Sequence, residues 1–458
     1  MQLRKQHWLW IALVSFTSLT ACKKDNEDVQ APDADVPAPS GATEADKLKD
    51  TALLYAKDIY LWYKQIPSTF NARSYSDLNK IMEGIRQYSI EPGFTTAVDR
   101  WSFAVDRKQW DNVSSGVGGD FGINVFFKEE GDLRVSYVEK NAPAGRAGIR
   151  RGWRILKLNG NSNITTGNAN TIIGAVYNSN STTFTFQKPD NSTVDITLNA
   201  GSYQEDPIQL DTVYTTGSNK VGYMVFNSFL GDTTAVYNKF ANVFSRFANA
   251  GVKDVVIDLR YNGGGYVTVQ QKLANYLVPS SANGNLMMKQ EFNDKYSRYN
   301  SVENFKKLGN LNVNRIFFIV SRSTASASEL LINNLKPYMD VKVVGPNPTY
   351  GKPVGYFPIE VGSWYIFPVS FKSTNKAGEG NYYNGISLTH RAADGLDMDW
   401  GDAKEASLAS VLSYINTGSF SRTTQSAFDG SDRSRVLEGN QTLDKGTFKG
   451  MIDARRMQ

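Results

Sequence analysis

The strongest constraint on the fold is an alternation of strand and helix patterns that begins near residue 205. Val221-Gly-Tyr-Met-Val-Phe226 reads as a strand, and Asp232 is placed to cap a helix carrying Val236, Phe240, Phe244 and Phe247 on one face. Val255-Val-Ile-Asp258 follows, almost wholly apolar, as a strand covered on both faces must be. Next come Gly263-Gly-Gly265, a helix over Val267 to Leu277, the apolar strand Ile316-Phe-Phe-Ile-Val320, and Val341 to Val344. Ala406 to Ile415 reads as a closing helix. Apolar strands alternating with amphipathic helices bury their surfaces by stacking as an α/β layer fold.

The texture differs on either side of this stretch. Residues 47–107 read as a small helical unit. Leu48, Ala52, Leu53, Ala56, Ile59 and Tyr60 recur at three- and four-residue steps up to Pro67, and a second helix is expected over Tyr75 to Tyr88. Residues 108–204 are β-rich, with strands expected at Ile123 to Phe127, Leu133 to Val138, Arg154 to Leu158 and Thr182 to Gln187. The catalytic candidates fall within residues 205–416, and residues 417–458 read as a mobile polar tail.

The chain starts with an export leader, residues 1–22: Arg4 and Lys5, the apolar run Trp8 to Phe16, then Leu19-Thr20-Ala21-Cys22. This ending resembles the lipobox of bacterial lipoproteins. The resemblance implies lipidation of Cys22, and hence a lipid-anchored protein of the cell envelope, on the outer membrane and facing the periplasm or the surface. Cys22 is the single cysteine, so once it is lipidated no thiol remains for disulfides, a cysteine nucleophile or thiolate zinc sites. Residues 23–46 are polar, rich in Ala, Pro and Asp, and read as a disordered tether. Lys+Arg 50 against Asp+Glu 45 leaves a net charge of only +5, which offers no electrostatic case for nucleic acid.

Within the β-rich region, Asn141-Ala-Pro-Ala-Gly-Arg-Ala-Gly-Ile149 reads as a short helix leading into the Gly152 turn and Ile155-Leu-Lys-Leu-Asn-Gly160. That order resembles a PDZ domain, a module that takes up an extended C-terminus as an added strand. The resemblance places the peptide-carboxylate loop at Phe121-Gly122-Ile123, with Asp120 where a glycine is common.

The chemistry concentrates in Ser323-Thr-Ala-Ser-Ala-Ser-Glu329, at the mouth of a predicted helix, and in Thr349-Tyr-Gly-Lys352. A serine hydroxyl needs a base to take its proton, and the usual base is histidine. Beyond the leader the chain has only His390, in a predicted loop. A lysine kept neutral by burial can serve instead. These residues imply Ser-Lys hydrolysis, with the choice among the serines open. The Asp258-Leu-Arg260-Tyr-Asn262-Gly-Gly-Gly265 segment ends a strand in glycines whose backbone can approach a substrate. Asp258 and Arg260 read as a structural ion pair, and no Walker pattern follows the glycines.

Taken together, Asp-Leu-Arg-x-Asn-x-Gly-Gly, Ser-Ala-Ser-Glu after an apolar strand, and Tyr-Gly-Lys resemble the C-terminal processing, or tail-specific, serine peptidases. The resemblance covers roughly residues 50–416. It implies a ClpP/crotonase-like α/β catalytic domain with an inserted PDZ-like domain, and protein or peptide C-termini as partners. Metals and other cofactors have no part in it. It puts the nucleophile on Ser326, the base on Lys352 and the oxyanion donors on Gly264 and Ala327. Ser323 and Ser328 become bystanders, and Glu329 suits the helix dipole. Many members orient the lysine with a glutamine four residues on. Tyr356 stands there, and its hydroxyl is the candidate for that work. The competing reading is a non-catalytic peptide- or apolar-ligand-binding lipoprotein on the same fold, with Trp62, Trp101, Trp110 and Trp153 lining an apolar site.

Overall fold

The computed structural model describes residues 41–420, 430–444 and 448–453. The leader, Cys22 and most of the tether lie outside the described residues. The strand–helix alternation folds as a six-stranded sheet in the order His390–Arg391, Asp340–Gly345, Arg315–Ile319, Asp254–Asp258, Asn219–Phe226, Ile208–Thr216. Its strands run parallel except Ile208–Thr216, which is antiparallel to its neighbour. Successive side chains of the central strands go to opposite cores. Val255, Ile257, Ile316 and Phe318 pack with the helices Thr233–Asn249, Val267–Leu277 and Ala327–Leu335. Val256, Phe317 and Ile319 pack with Ala406–Thr417. Cover on both faces is why these strands read as continuous apolar runs.

The helical N-terminal unit is part of this architecture rather than separate from it. Thr43 and Asp46 form a reciprocal capping box, so the first helix is Glu44–Ile59 and starts inside the segment expected to be tether. It stops well before Pro67, because Leu61 N donates to Val369 O (2.8 Å) and draws the chain onto the sheet domain. The second helix, Leu78–Ile85, is capped by Asp77. Ala52, Ile59, Ile81 and Ile85 share a core with the sheet domain, and Phe103–Asp106 pairs antiparallel with Trp364–Phe367. The boundary at 107 marks a change of sequence texture, not a break between cores.

Residues 123–199 form a five-stranded antiparallel sheet whose strands follow chain order, with the helix Ala169–Tyr177 packed on it. Phe127, Val135, Ile155, Ile172 and Phe184 build its own core. Arg151 clasps this domain to the larger sheet: its guanidinium pairs with Asp394 (2.6 Å), donates to Tyr261 Oη (2.9 Å) and lies over Trp400.

The tail departs from expectation. Its described parts are a helix, Gly430–Leu443, and a strand, Gly450–Ile452. Val436 and Leu443 join the core of the small β-domain. The strand pairs in parallel with Gly264–Tyr266 and is buried. A mostly polar helix with few apolar anchors gives little periodic signal, and a three-residue strand gives less.

Candidate active site

Ser326 stands between the Arg315–Ile319 strand and the Ala327–Leu335 helix, at the carboxyl end of the parallel strands where open α/β sheets place their ligands. Its backbone has φ 60° and ψ −106°. Among the described residues only Asn159 and Asn191 share a positive φ without being glycine, and asparagine tolerates that region better than serine. Strain of this kind persists where the surroundings over-determine it. Here the neighbouring hydroxyls do so. Thr324 Oγ1 donates to Leu259 O (2.7 Å), Ser328 Oγ donates to Asn262 O (3.1 Å), and Ala325 N donates to Asn262 O (3.0 Å). Ser323 Oγ donates to Asp444 (2.9 Å). Within the cluster only the Ser326 hydroxyl is buried without a hydrogen-bond partner. The other hydroxyls of the cluster staple the turn, and that of Ser326 takes no part in holding it.

Lys352 is fully buried. Burial pushes its amine well below the usual lysine value, while Asp99 and Glu329 pull the other way. Its Nζ lies 3.5 Å from the centre of the Tyr356 ring and donates to Lys449 O (3.0 Å). Tyr356 holds the amine in a way the sequence does not suggest. Its hydroxyl donates to Trp101 O (2.8 Å), so the ring face, not the hydroxyl, is what meets Lys352.

Glu329 does far more than suit a helix dipole. Its fully buried carboxylate accepts from Ser326 N (2.7 Å), Lys352 N (2.8 Å), Gly351 N (2.6 Å) and Thr349 Oγ1 (2.5 Å). Burial pushes its carboxyl upward, and these donors oppose the shift. One side chain therefore ties the nucleophile turn to the lysine loop. Tyr350 N, donating to Thr324 O (2.9 Å), adds a second tie.

Gly264 and Ala327 come together. A Cβ on Gly264, whose φ is +106°, would stand 3.1 Å from Ala327 N and 2.3 Å from Gly450 O. Only glycine admits this approach. Ala327 N lies ahead of the first bond of its helix, from Leu330 N to Ser326 O (2.7 Å). Gly264 N is engaged differently from the expectation. It donates to Asn262 Oδ1 (2.9 Å), so an incoming oxyanion has to compete with that side chain.

Asp258 and Arg260 are structural. Arg260, fully buried, pairs with Asp258 (2.6 Å), Asp394 (2.8 Å) and Glu405 (2.7 Å). His390 is not in a loop. It forms an edge strand beside Val344 and stacks on Phe420 at 4.3 Å. The tryptophans do not line one site, since Trp62, Trp101 and Trp110 belong to the main core and Trp153 packs on Phe186 in the β-domain. Among the described residues no group of acidic, histidine or cysteine side chains is arranged to hold a metal ion, and no helix is long and apolar enough to cross a membrane.

Phe121, Gly122 and Ile123 are placed at the start of the first β-domain strand, with Phe121 and Ile123 in its core. The Asp120 carboxylate closes on this loop: its Oδ1 accepts from Gly122 N (2.7 Å) and Tyr203 Oη (2.6 Å). An incoming peptide carboxylate meets an occupied donor and a like charge. Asp120→Gly is expected to raise affinity for peptides ending in a free carboxylate over their amidated forms, as read by fluorescence anisotropy. Equal binding of the two forms by the variant would show that the loop does not hold carboxylates.

Residues 220–382 match the model of peptidase family S41, a span that includes Ser326, Lys352, Gly264, Ala327 and Tyr356. The sheet domain is similar to the domains that this model describes. The chain is 27% identical over 320 residues to a "Probable CtpA-like serine protease" of Staphylococcus aureus (strain COL), covering 64% of this chain and 60% of that protein. It is 25% identical over 293 residues to the "Carboxy-terminal processing protease CtpA" of Bacillus subtilis (strain 168), covering 63% and 58%. The chain thus spans about 60% of the length of the curated relatives it matches. In fold it is similar to a Bacteroides fragilis structure described as an S41 protease, with TM-score 0.66, 22% identity, and 80% and 96% of the two chains covered.

Sequence reasoning missed two parts of the candidate site. Glu329 was visible as a carboxylate in the first helical turn, but nothing local reveals that the Thr349–Lys352 loop folds back onto it. Asn262, whose side chain bridges Gly264 N and Phe226 O (2.9 Å), lay inside the quoted motif without a role.

Proposed function

We propose that the chain is a serine endopeptidase that cleaves unstructured protein or peptide substrates near their C-termini by a Ser-Lys mechanism. The observation that carries this reading is the pairing of an unpartnered, strained serine with a buried lysine on two loops locked together by Glu329. Ser326 Oγ attacks the scissile carbonyl carbon while its proton passes to the neutral Lys352 amine. The carbonyl oxygen becomes an oxyanion and accepts from Ala327 N, and from Gly264 N once that amide leaves Asn262. The tetrahedral intermediate collapses as Lys352 returns the proton to the leaving nitrogen. Water then hydrolyses the acyl-serine by the same route. Such preorganised amides are each worth about 2.7–4 kcal/mol in comparable enzymes.

The reading extends to location. The Leu19–Cys22 pattern supports lipidation of Cys22, and a polar tether after it would hold the catalytic domain at a cell-envelope membrane. The β-domain supports a role in presenting substrate strands.

The test is hydrolysis of an unstructured polypeptide as a function of pH. Because burial holds Lys352 below its ordinary pKa, the amine is the free base above its folded-state pKa and protonates as pH falls through it. The rate should therefore rise from acid toward neutral or alkaline pH and level off. A rate flat from about pH 5 to about pH 9 contradicts a lysine base.

A further inference from the structure

The Gly450–Ile452 strand lies alongside Gly264–Tyr266, beside the Gly264 amide at which the proposed mechanism puts the scissile carbonyl. On one side Gly450, Met451 and Ile452 pair in parallel with Gly264, Gly265 and Tyr266, with Gly450 N donating to Gly263 O (2.9 Å). On the other side Tyr356 N donates to Met451 O (3.0 Å), and Ile452 bridges to Tyr356. Met451 and Ile452 are buried, and the Phe448 ring rests 5.1 Å from Trp110. The same segment holds the base. Lys352 Nζ donates to Lys449 O (3.0 Å), while Ser326 Oγ has no partner. A lysine committed to the tail backbone is not bonded to the serine it has to deprotonate.

The preceding helix packs on the β-domain. Gly430–Leu443 lies against Ile123–Glu129, the strand that follows the Phe121–Ile123 loop, and against Ala169–Tyr177. The Asn440 side chain pairs with both backbone groups of Phe127, accepting from its N (2.6 Å) and donating to its O (2.9 Å), as an added strand would. Asp444 joins the two parts, accepting from Ser323 Oγ (2.9 Å) and pairing with Lys449 (2.6 Å).

We infer that residues 430–444 and 448–453 form an intramolecular inhibitor: the strand occupies the active-site slot, the helix covers Ile123–Glu129 and Ala169–Tyr177 of the β-domain, and substrate has to displace them. This rests on the peptidase reading for the word inhibitor, and on geometry alone for the occupancy. The ligand the slot takes is an extended strand with a glycine in register with Gly264 and apolar side chains after it. A tethered strand competes at an effective concentration that reaches millimolar for short flexible linkers, so its release should be visible in both binding and turnover.

The test uses the full chain with Met451→Asp and Ile452→Asp, which put charges into a buried slot, and a second variant with residues 448–453 replaced by Gly and Ser. In a Ser326→Ala background, a labelled peptide of sequence Phe-Lys-Gly-Met-Ile-Asp should bind both variants at least about tenfold more tightly than the chain with its native tail. With Ser326 present, both variants should show kcat/KM raised by a similar factor, chiefly through a lower KM. Equal peptide binding with native and altered tails overturns the inference. Tighter binding to the variants with no hydrolysis by any form supports the occupancy and overturns the peptidase reading instead. A melting transition for each variant identifies a misfolded one, and the other then carries the comparison.

Discussion

Ser326→Ala is expected to lower kcat for an unstructured polypeptide by at least about 10⁴-fold, the scale on which removal of a nucleophile acts when its partners stay in place. The fold should not suffer. The Ser326 hydroxyl is buried and makes no hydrogen bond, so alanine removes a desolvated polar group and leaves no donor or acceptor unpaired. The positive φ is the same for either residue. The melting temperature should hold or rise slightly, which separates loss of chemistry from loss of structure. Lys352→Met completes the case. It keeps the aliphatic stem and removes the amine, so activity should fall on the same scale. Its effect on stability has a definite sign. The folded-state pKa of Lys352 lies below the unfolded value, so between the two the unfolded chain binds a proton that the native one does not. Stability on this account increases as pH rises through that window, and near neutral pH the buried amine is a cost. Lys352→Met should therefore melt higher than the native chain at pH 7 and lose that advantage toward pH 10. Undiminished turnover in both Ser326→Ala and Lys352→Met would overturn the Ser-Lys assignment.

Glu329→Ala is expected to destabilise the protein by about 3–5 kcal/mol, the range seen when a buried charged partner is removed from its network. Four donors, from Ser326, Gly351, Lys352 and Thr349, would lose the buried acceptor they share. Glu329→Gln is the informative companion. An amide of the same shape keeps one acceptor oxygen and puts two N–H donors where donors already point, so it should lose a large part of the same stability. Denaturant unfolding reads the loss directly, and kcat should fall in step because the serine turn and the lysine loop are no longer held together. A change under about 1 kcal/mol in Glu329→Ala would show that the loops are held by other contacts. In that case Tyr350 N to Thr324 O is the tie to examine.

How much was legible beforehand differs between elements for physical reasons. The helix Val267–Leu277 and the strand Arg154–Leu158 lie where their patterns put them, and the buried strands at 254–258 and 315–319 were set by unbroken apolar runs. Edge elements were not. Ile208–Thr216 and His390–Arg391 are half exposed and mix polar with apolar side chains, so no period marks them. Tyr356 was legible as a position and misjudged as chemistry, because which part of a tyrosine meets a lysine depends on where Trp101 offers its carbonyl. Asp120 was legible as a departure from a glycine, but that its carboxylate closes the loop on Gly122 N is a matter of folded geometry.

The α/β class of the chain was legible from residue types at short spacing, since periodicity is written along the chain, whereas Ser326 and Lys352 were singled out by the family resemblance of the motifs that hold them. The tail was not legible in either way. Helix and strand at 430–453 hold their places through contacts with residues more than a hundred positions away, and such partners exist only once the sheet, the β-domain and the glycine turn have assembled.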